Sequence, residues 1–489
     1  MNFKSTFSSD IINTKRQIDE NMIRNILQFN KHFLLILSGL FLFNATSFAQ
    51  NEEESLEYKL AYTTAVQATI YGWAPVMMDV ALELQTSVDA PMNNGQAPLN
   101  QLGPITRLWD YRDRSYTTPN NDTYYIQGWA DLENNPMVLF IPEVKNRYFI
   151  EQILDMYTES VVDLCNATMG EQGGYFILAK RGEKFDNPDN LPVHYSNTRY
   201  IWLAGRLGVD ASEADQKIAQ ELQKEFRLMP LADYPNGGQN PEPLVAVGAP
   251  KVNFPKGMDW FKRFDRVLAE NYLEEDKSLT DQFKNIGIGN GKMEELTEVQ
   301  KEAMVKGFAD TFQMILHTAK HTNTPVNGWN YEYNAGKYGT DYLQRAAVNM
   351  NSIGLNSPER AMYPKRYFDD QGKVLNGKNA YEITLPADMA VNEEFGGFWS
   401  ITMYDAQDRF MVENEIDRYK VGSVTEGMAY NKDGSLTIYI SHEKPKNKKQ
   451  LKNWLPAPDA DFMLQCRFYE PNEKVVKGEF HLPELYKIK

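Results

Sequence analysis

Apolar and polar positions along this chain change their period three times. From Glu52 to about Ser87, Leu56, Leu60, Val66, Ile70 and Val76 recur at a spacing of about 3.6 residues. That spacing predicts a helix, kinked or interrupted at Pro75. Ala61, Ala65, Ala68 and Gly72 lie between the larger residues and suit close packing against another element. Asn93 to Gly103 reads as loop, and beyond it the period falls to two. Thr123 to Trp129, Met137 to Ile141 and Tyr148 to Tyr157 predict strands, with turns over 131–136 and 142–146. Tyr175 to Ala179 and Arg199 to Gly205 add further strands of the same aromatic and β-branched kind.

Helical spacing then returns. Ser212 with Asp215 opens an amphipathic segment reaching Leu228, Met258 to Leu273 follows an extended stretch at 250–255, and Thr297 with Gln300 caps a helix running to about His321. Asn323 to Asn356, rich in Asn, Gly and Tyr, predicts a linker wrapped over the surface, because its aromatic rings need burial. From Tyr381 the alternation is again that of strands. Trp399, Ile401 and Met403 alternate with Ser400, Thr402 and Tyr404, and Leu436, Ile438 and Ile440 alternate with Thr437, Tyr439 and Ser441 after the turn pair Asp433-Gly434. The expected fold is mainly β: two jelly-roll-like β-sandwich domains joined by a helical insert, with an N-terminal helix. Residues 50–210 would form the first domain with its leading helix, 211–375 the helical insert and linker, and 376–489 the second domain.

The N-terminus follows another logic. Phe33 to Phe43 is an apolar run with Arg24 and Lys31 before it and Ser47-Phe48-Ala49 after it, the pattern of a secretory signal peptide cut before Gln50. The run is too short to cross about 30 Å of hydrocarbon, and no Cys follows it to take a lipid. Residues 1–49 are therefore expected to be removed on export to the periplasm or the exterior, leaving no stable membrane anchor. Residues 1–21 are polar for a leader, and Met22 would make a more usual start.

Composition narrows the choice of partner. With 489 residues and 42% hydrophobic content the chain is large enough for two cores, and its formal charge of −15 repels nucleic acid and anionic lipid. Only Cys165 and Cys466 occur. Cys466 alternates with Phe462, Leu464 and Phe468, so a buried free thiol is expected over a disulfide.

Long ordered motifs make the chain resemble a known two-domain family. Asn121-Asp122-Thr123-Tyr124, Arg147-Tyr148, Gln152, Asp155, Tyr157-Thr158, Gly173-Gly174 and Thr198-Arg199-Tyr200 are similar to domain of unknown function 1254. Gly397-Phe398-Trp399-Ser400, Tyr404-Asp405, Asn414, Asp417-Arg418-Tyr419, Asp433-Gly434-Ser435-Leu436, Asn453-Trp454-Leu455-Pro456 and Arg467-Phe468-Tyr469 are similar to domain of unknown function 1214. The resemblance implies two jelly-roll-like β domains joined by helices and implies no settled activity, so the chemistry rests on the residues themselves.

The polar corner Asn120-Asn121-Asp122-Thr123, set between apolar strands, is the first candidate. Its side chains either close Asx turns at a strand entry or project into a cleft beside Tyr124, Tyr125 and Trp129. Along the next strand Glu151 and Asp155 share a face but lie about 13 Å apart, beyond the roughly 5–9.5 Å of paired glycosidase carboxylates. A second carboxylate would have to come from a neighbouring strand, and Asp122 is the candidate. Arg147 or Arg199 could instead neutralise these acids. In the second domain Trp399, Trp454, Tyr404 and Tyr419, with Asn414 and Arg418, would serve either a core or a sugar-stacking surface.

Other motifs fail. His317 and His321 share a helix face, but nothing nearby supplies a third metal ligand. Met293 stands where the Gly287–Lys292 run would need Ser or Thr for phosphate, and Lys446 stands where His442-Glu443 would need its second His. The expected function is an exported protein that binds a small polar, glycan-like or amide-containing compound in a cleft at the corner, with no metal or cofactor. Turnover stays open and would be hydrolysis, with Asp122 and Asp155 as catalytic groups and Asn121, Tyr124, Arg147, Gln152, Trp399 and Arg418 as binding groups. The alternative is a homo-oligomer assembled through jelly-roll faces, without catalysis.

Overall fold

A computed structural model describes residues 49–114, 117–133, 135–210, 212–234, 237, 240–246, 253–321 and 325–488, with side chains from Leu56 onward. The expected leader through residue 48 lies outside the described residues, as does Pro250. Numbering only helices of ten residues or more, the helices are α1 (Ala49–Thr86), α2 (Glu213–Glu225), α3 (Met258–Glu270), α4 (Glu298–His321) and α5 (Tyr342–Asn351). The first β region holds β1 (Leu102–Ile105), β2 (Thr123–Asp131), β3 (Met137–Ile141), β4 (Phe149–Asp155), β5 (Ser160–Cys165), β6 (Gly174–Lys180), β7 (Val193–Ser196), β8 (Tyr200–Gly208) and β9 (Arg227–Pro230). The second holds β10 (Ala361–Met362), β11 (Lys365–Arg366), β12 (Tyr381–Leu385), β13 (Phe398–Asp405), β14 (Lys420–Gly422), β15 (Leu436–Ser441), β16 (Trp454–Pro456), β17 (Phe462–Tyr469) and β18 (Tyr486–Lys487).

Each β region is two sheets on one core. In the first, the sheet β1-β2-β8-β4-β5 packs on the sheet β7-β6-β3-β9 through Tyr124, Ile126, Leu139, Phe149, Leu178 and Leu203. In the second, β10-β17-β13-β14, with β11 also on β17, packs on β16-β15-β12-β18 through Ile383, Ile401, Ile438 and Leu464. Strand alternation decides what remains. Tyr125, Gln127 and Trp129 of β2 pair with Arg206, Ala204 and Trp202 of β8 and point away from the first core. Ser400, Thr402 and Tyr404 of β13 and Gln465, Arg467 and Tyr469 of β17 likewise point away from the second. These two polar faces meet, so the cores lie outside and a polar layer lies between them.

The helices cover the rest of the first polar face. Trp129, Trp202 and Leu154 join a helical core with Trp73 of α1, Phe264 of α3, Ile315 of α4 and Ala346 of α5. Helix α1 runs through Pro75 without ending there. At Gly307 of α4 a Cβ would lie 3.0 Å from Ala65 of α1, so glycine sets how closely the two helices approach. Arg345 of α5 lies over the rings of Tyr71, Tyr157 and Tyr342.

Two expected boundaries shift. Strand β9 pairs with β3, and β10 and β11 pair with β17, so the β regions claim residues assigned from sequence to the insert. The expected linker contains α5, and its Trp329 and Tyr331 belong to the second core rather than wrapping a surface. Cys165 and Cys466 are buried free thiols.

Candidate functional site

The polar corner is an Asx turn that becomes an interdomain lock. Asn120 accepts the Asp122 backbone N–H through Oδ1 at 2.6 Å and donates from Nδ2 to Thr123 Oγ1 at 3.0 Å. Asn121 donates from Nδ2 to the Trp109 carbonyl, and its own carbonyl accepts from the Lys420 ammonium. Asp122, wholly buried, accepts from Ser400 Oγ at 2.7 Å and Tyr469 OH at 3.0 Å on Oδ2, while Oδ1 faces Lys420 Nζ at 2.7 Å. Burial acts to raise its pKa, but the charges of Lys420 and Arg467 and the donors around it outweigh burial and leave it below the usual carboxylate value. An acid held ionised by three residues of the other β region is a poor proton acceptor.

The remaining sequence candidates are separated from it and from one another. Asp155 pairs with Ile201 on β8 while Thr123, next to Asp122, pairs with Gly208, which puts the acids about 23 Å apart along the sheet at about 3.3 Å per residue. Asp155 instead caps its own turn, accepting the N–H groups of Tyr157 at 2.8 Å and Glu159 at 3.0 Å. Burial raises its pKa to about 7, against the pull of those N–H groups. Tyr124 points into the first core and donates to Gln216 at 3.0 Å. Arg147 pairs with Asp215 at 2.9 Å, and Arg199 with Asp131 at 2.8 Å, so neither neutralises Glu151 or Asp155. Glu151 is buried with no partner on either oxygen, and burial lifts its pKa well above the ordinary value.

Trp399 lies in the second core, and Arg418 ties the Lys452 and Trp454 carbonyls at 2.9 and 3.0 Å, so neither offers a sugar-stacking surface. His317 and His321 stack at 4.3 Å, and no group of three or more His, Cys, Asp or Glu able to hold a metal occurs among the described residues. Gln152 approaches a cavity, bonded to the Leu355 carbonyl at 3.0 Å and to Asn356 at 3.1 Å.

That cavity, of about 260 Å³, opens where the two polar faces and the helical layer meet. Asn120, Tyr125, Arg206, Asn349, Gln465 and Arg467 line it with Trp109, Trp202 and Tyr363, and among the described residues no Asp or Glu does. Trp109 and Tyr125 stack at 5.7 Å, and the Arg206 guanidinium lies 5.6 Å from the Tyr125 ring and 5.9 Å from that of Tyr363. Arg206 donates from Nη1 to Tyr363 OH at 2.5 Å, leaving Nε buried without a partner. Asn349 Nδ2 and Oδ1 and Gln465 Oε1 are buried and unpartnered too. Arg467 donates to Thr402 Oγ1 at 2.9 Å, Tyr404 OH at 2.7 Å and the Thr118 carbonyl at 3.0 Å.

A shallower groove of about 470 Å³ runs past Asp163, His194 and Arg360. Its charges are already matched: Arg360 with Glu470 at 2.6 Å, Lys337 with Glu359 at 2.7 Å, and Asp163 with Ser160 and Ser357. The cavity between the β regions is the candidate site.

Sequence reasoning passed over Arg206, Asn349, Tyr363 and Gln465. The available signal was a charged residue inside an apolar strand, Arg206 in Tyr200–Gly208 and Arg467 in Phe462–Tyr469, since buried arginine needs partners.

Comparison with known proteins agrees with the two-part build. Residues 99–230 match the family model described as protein of unknown function DUF1254, and residues 360–473 match protein of unknown function DUF1214. The chain belongs to the two-domain family that joins these regions. It is similar to the crystal structure of the VPA0106 protein from Vibrio parahaemolyticus, at 25% identity and a TM-score of 0.65, over 88% of this chain and 100% of that one. A Burkholderia cenocepacia protein aligns over 90% of this chain and 97% of its own at 10% identity and a TM-score of 0.40. No curated protein matches.

Proposed function

We propose that this chain is an exported binding protein that takes a small polar compound, about the size of a single sugar or a short amide, into the cavity between its β regions. The observation that carries this reading is a cavity whose lining residues Asn349, Gln465 and Arg206 hold buried polar atoms without partners among the described residues: Asn349 Nδ2 and Oδ1, Gln465 Oε1 and Arg206 Nε. Leaving such groups unpaired costs about 1–3 kcal/mol each, a cost that a polar ligand removes. A volume of about 260 Å³ is below the roughly 300–1,000 Å³ of drug-sized sites, which favours one small molecule over an oligosaccharide. Hydrolysis with Asp122 as base has no support, because its carboxylate is committed to Lys420, Ser400 and Tyr469.

Export rests on the leader pattern of residues 33–49, and a jelly-roll relation of both halves on strand order. In each, a late strand, β8 or β17, lies between earlier ones, as in jelly rolls.

Thermal-shift screening of the chain from Gln50 onward against mixed sugars, amides and organic acids tests the reading. Ala204 lines the cavity, so Ala204→Leu fills it. Ligands that raise the melting temperature of the parent and not of a folded Ala204→Leu are expected; equal responses from both would remove the cavity as the site.

A further inference from the structure

Arg206 stands out among the charges of the cavity. Its guanidinium is half-buried at the wall and, among the described residues, forms no ion pair. Tyr363 OH takes Nη1, the Tyr125 and Tyr363 rings lie beside the cation, and Nε has no partner. Arginine removed from water is ordinarily matched by an acid, and the buried Asp122 of the interdomain lock is already held by Lys420, Ser400 and Tyr469. Arg467 adds a second positive charge to the same wall and donates to three neutral acceptors. Lys365 lies behind Ser352, another lining residue, at 3.4 Å. A cavity walled by cations, with no carboxylate among the described residues, in a chain of net charge −15 is a local reversal of the overall field.

We propose that the cavity selects a small organic carboxylate with a flat body. The carboxylate meets the open side of the Arg206 fork, whose planar N–H groups match its two oxygens. The flat body lies against the stacked Trp109 and Tyr125 rings, and the amides of Asn349 and Gln465 take a further donor or acceptor on the ligand. A single unsaturated guanidinium suits a monoanion better than a dianionic phosphate. This inference rests on the cavity being the ligand site, and deepens that reading by giving the ligand its charge.

The test is calorimetric titration of the full exported chain with benzoate, phenylacetate and hippurate, each beside its primary amide, at up to millimolar concentration. Carboxylates are expected to bind at least tenfold more tightly than their amides, and Arg206→Gln to abolish that preference. Because Arg206→Gln also removes a contact to Tyr363, Gln127→Glu, at a lining residue with no assigned ligand contact, supplies a second reading. It keeps side-chain length, adds a negative charge to the wall, and is expected to weaken carboxylates at least tenfold while sparing amides. Amides binding as well as carboxylates would overturn the charge assignment and leave the cavity reading intact. Binding by neither, with Ala204→Leu indistinguishable from the parent in the thermal screen, would overturn both.

Discussion

Replacing Asp122 with Asn keeps the shape of the side chain and removes the only negative charge facing Lys420. Opposite charges 2.7 Å apart attract by about 6 kcal/mol at an effective dielectric of about 20, much of it offset by the desolvation of both groups. Breaking a buried pair from one side costs about 3–5 kcal/mol, and the 15% exposure of the Lys420 side chain places this case near the lower end. The new amide also turns a donor toward Ser400 or Tyr469, whose hydroxyls both donate to Oδ2, adding about 1 kcal/mol. The expected loss is therefore about 4 kcal/mol, read from urea unfolding at pH 7. Adding Lys420→Met should restore at least about 2 kcal/mol of it, since the stranded ammonium is then gone. The sign with pH follows from the lowered pKa: the carboxylate contributes stability above its unfolded value, and loses that contribution as pH falls through the folded one. That acid-dependent part should vanish in both variants. An Asp122→Asn protein within about 1 kcal/mol of the parent, or two substitutions whose costs simply add, would refute the lock.

Two further substitutions probe buried groups away from the lock. Burial, with Arg409 and Arg467 adding to it, lowers the Lys365 pKa to about 8, so the folded state is penalised while the amine stays charged, and the penalty fades as pH rises from about 8 toward the unfolded value. Lys365→Met should thus gain about 1–3 kcal/mol at pH 7 and little at pH 10 in urea titrations; an equal gain at both would contradict the titration. Gly205 has no room for a Cβ, because the Glu151 carboxyl and the Ile126 carbonyl fill that space. Gly205→Ala should cost about 1–3 kcal/mol by thermal unfolding, partly recovered with Glu151→Ala, and a neutral Gly205→Ala would show that the carboxyl moves freely.

Much of the architecture is legible in the sequence because it is periodic. The Thr297 and Gln300 signals close a reciprocal cap, Thr297 N–H to Gln300 Oε1 at 2.9 Å and Gln300 N–H to Thr297 Oγ1 at 3.2 Å. Alternation in Phe398–Asp405 separates core from polar face residue by residue. Strand β5 is hidden because Ser160-Val161-Val162-Asp163 has no clean alternation, and α5 because its helix-forming Leu343–Ala347 run, capped by Asp341, sits inside a stretch rich in Asn, Gly and Tyr. The site was harder to read. The Asn-Asn-Asp-Thr corner is as polar as a site, but its partners Ser400, Lys420 and Tyr469 come from a region nearly 300 residues away, with a separation of 278 to Ser400, and no local pattern encodes that meeting. Tyr124 and Tyr125 differ by one position and face opposite layers, so the expected cleft beside Tyr124, Tyr125 and Trp129 joins residues from both sides of β2.

The order in which the helices come off the ribosome follows from how α1 is covered. Arg345, which donates to the Tyr71 carbonyl and covers its ring, is translated 274 residues after it. At about 5–20 residues per second the front helix waits roughly 14–55 s for that partner. The first β region cannot complete its outer layer while the chain is still short, so final folding of the front half is a late event, after α4 and α5 have been made.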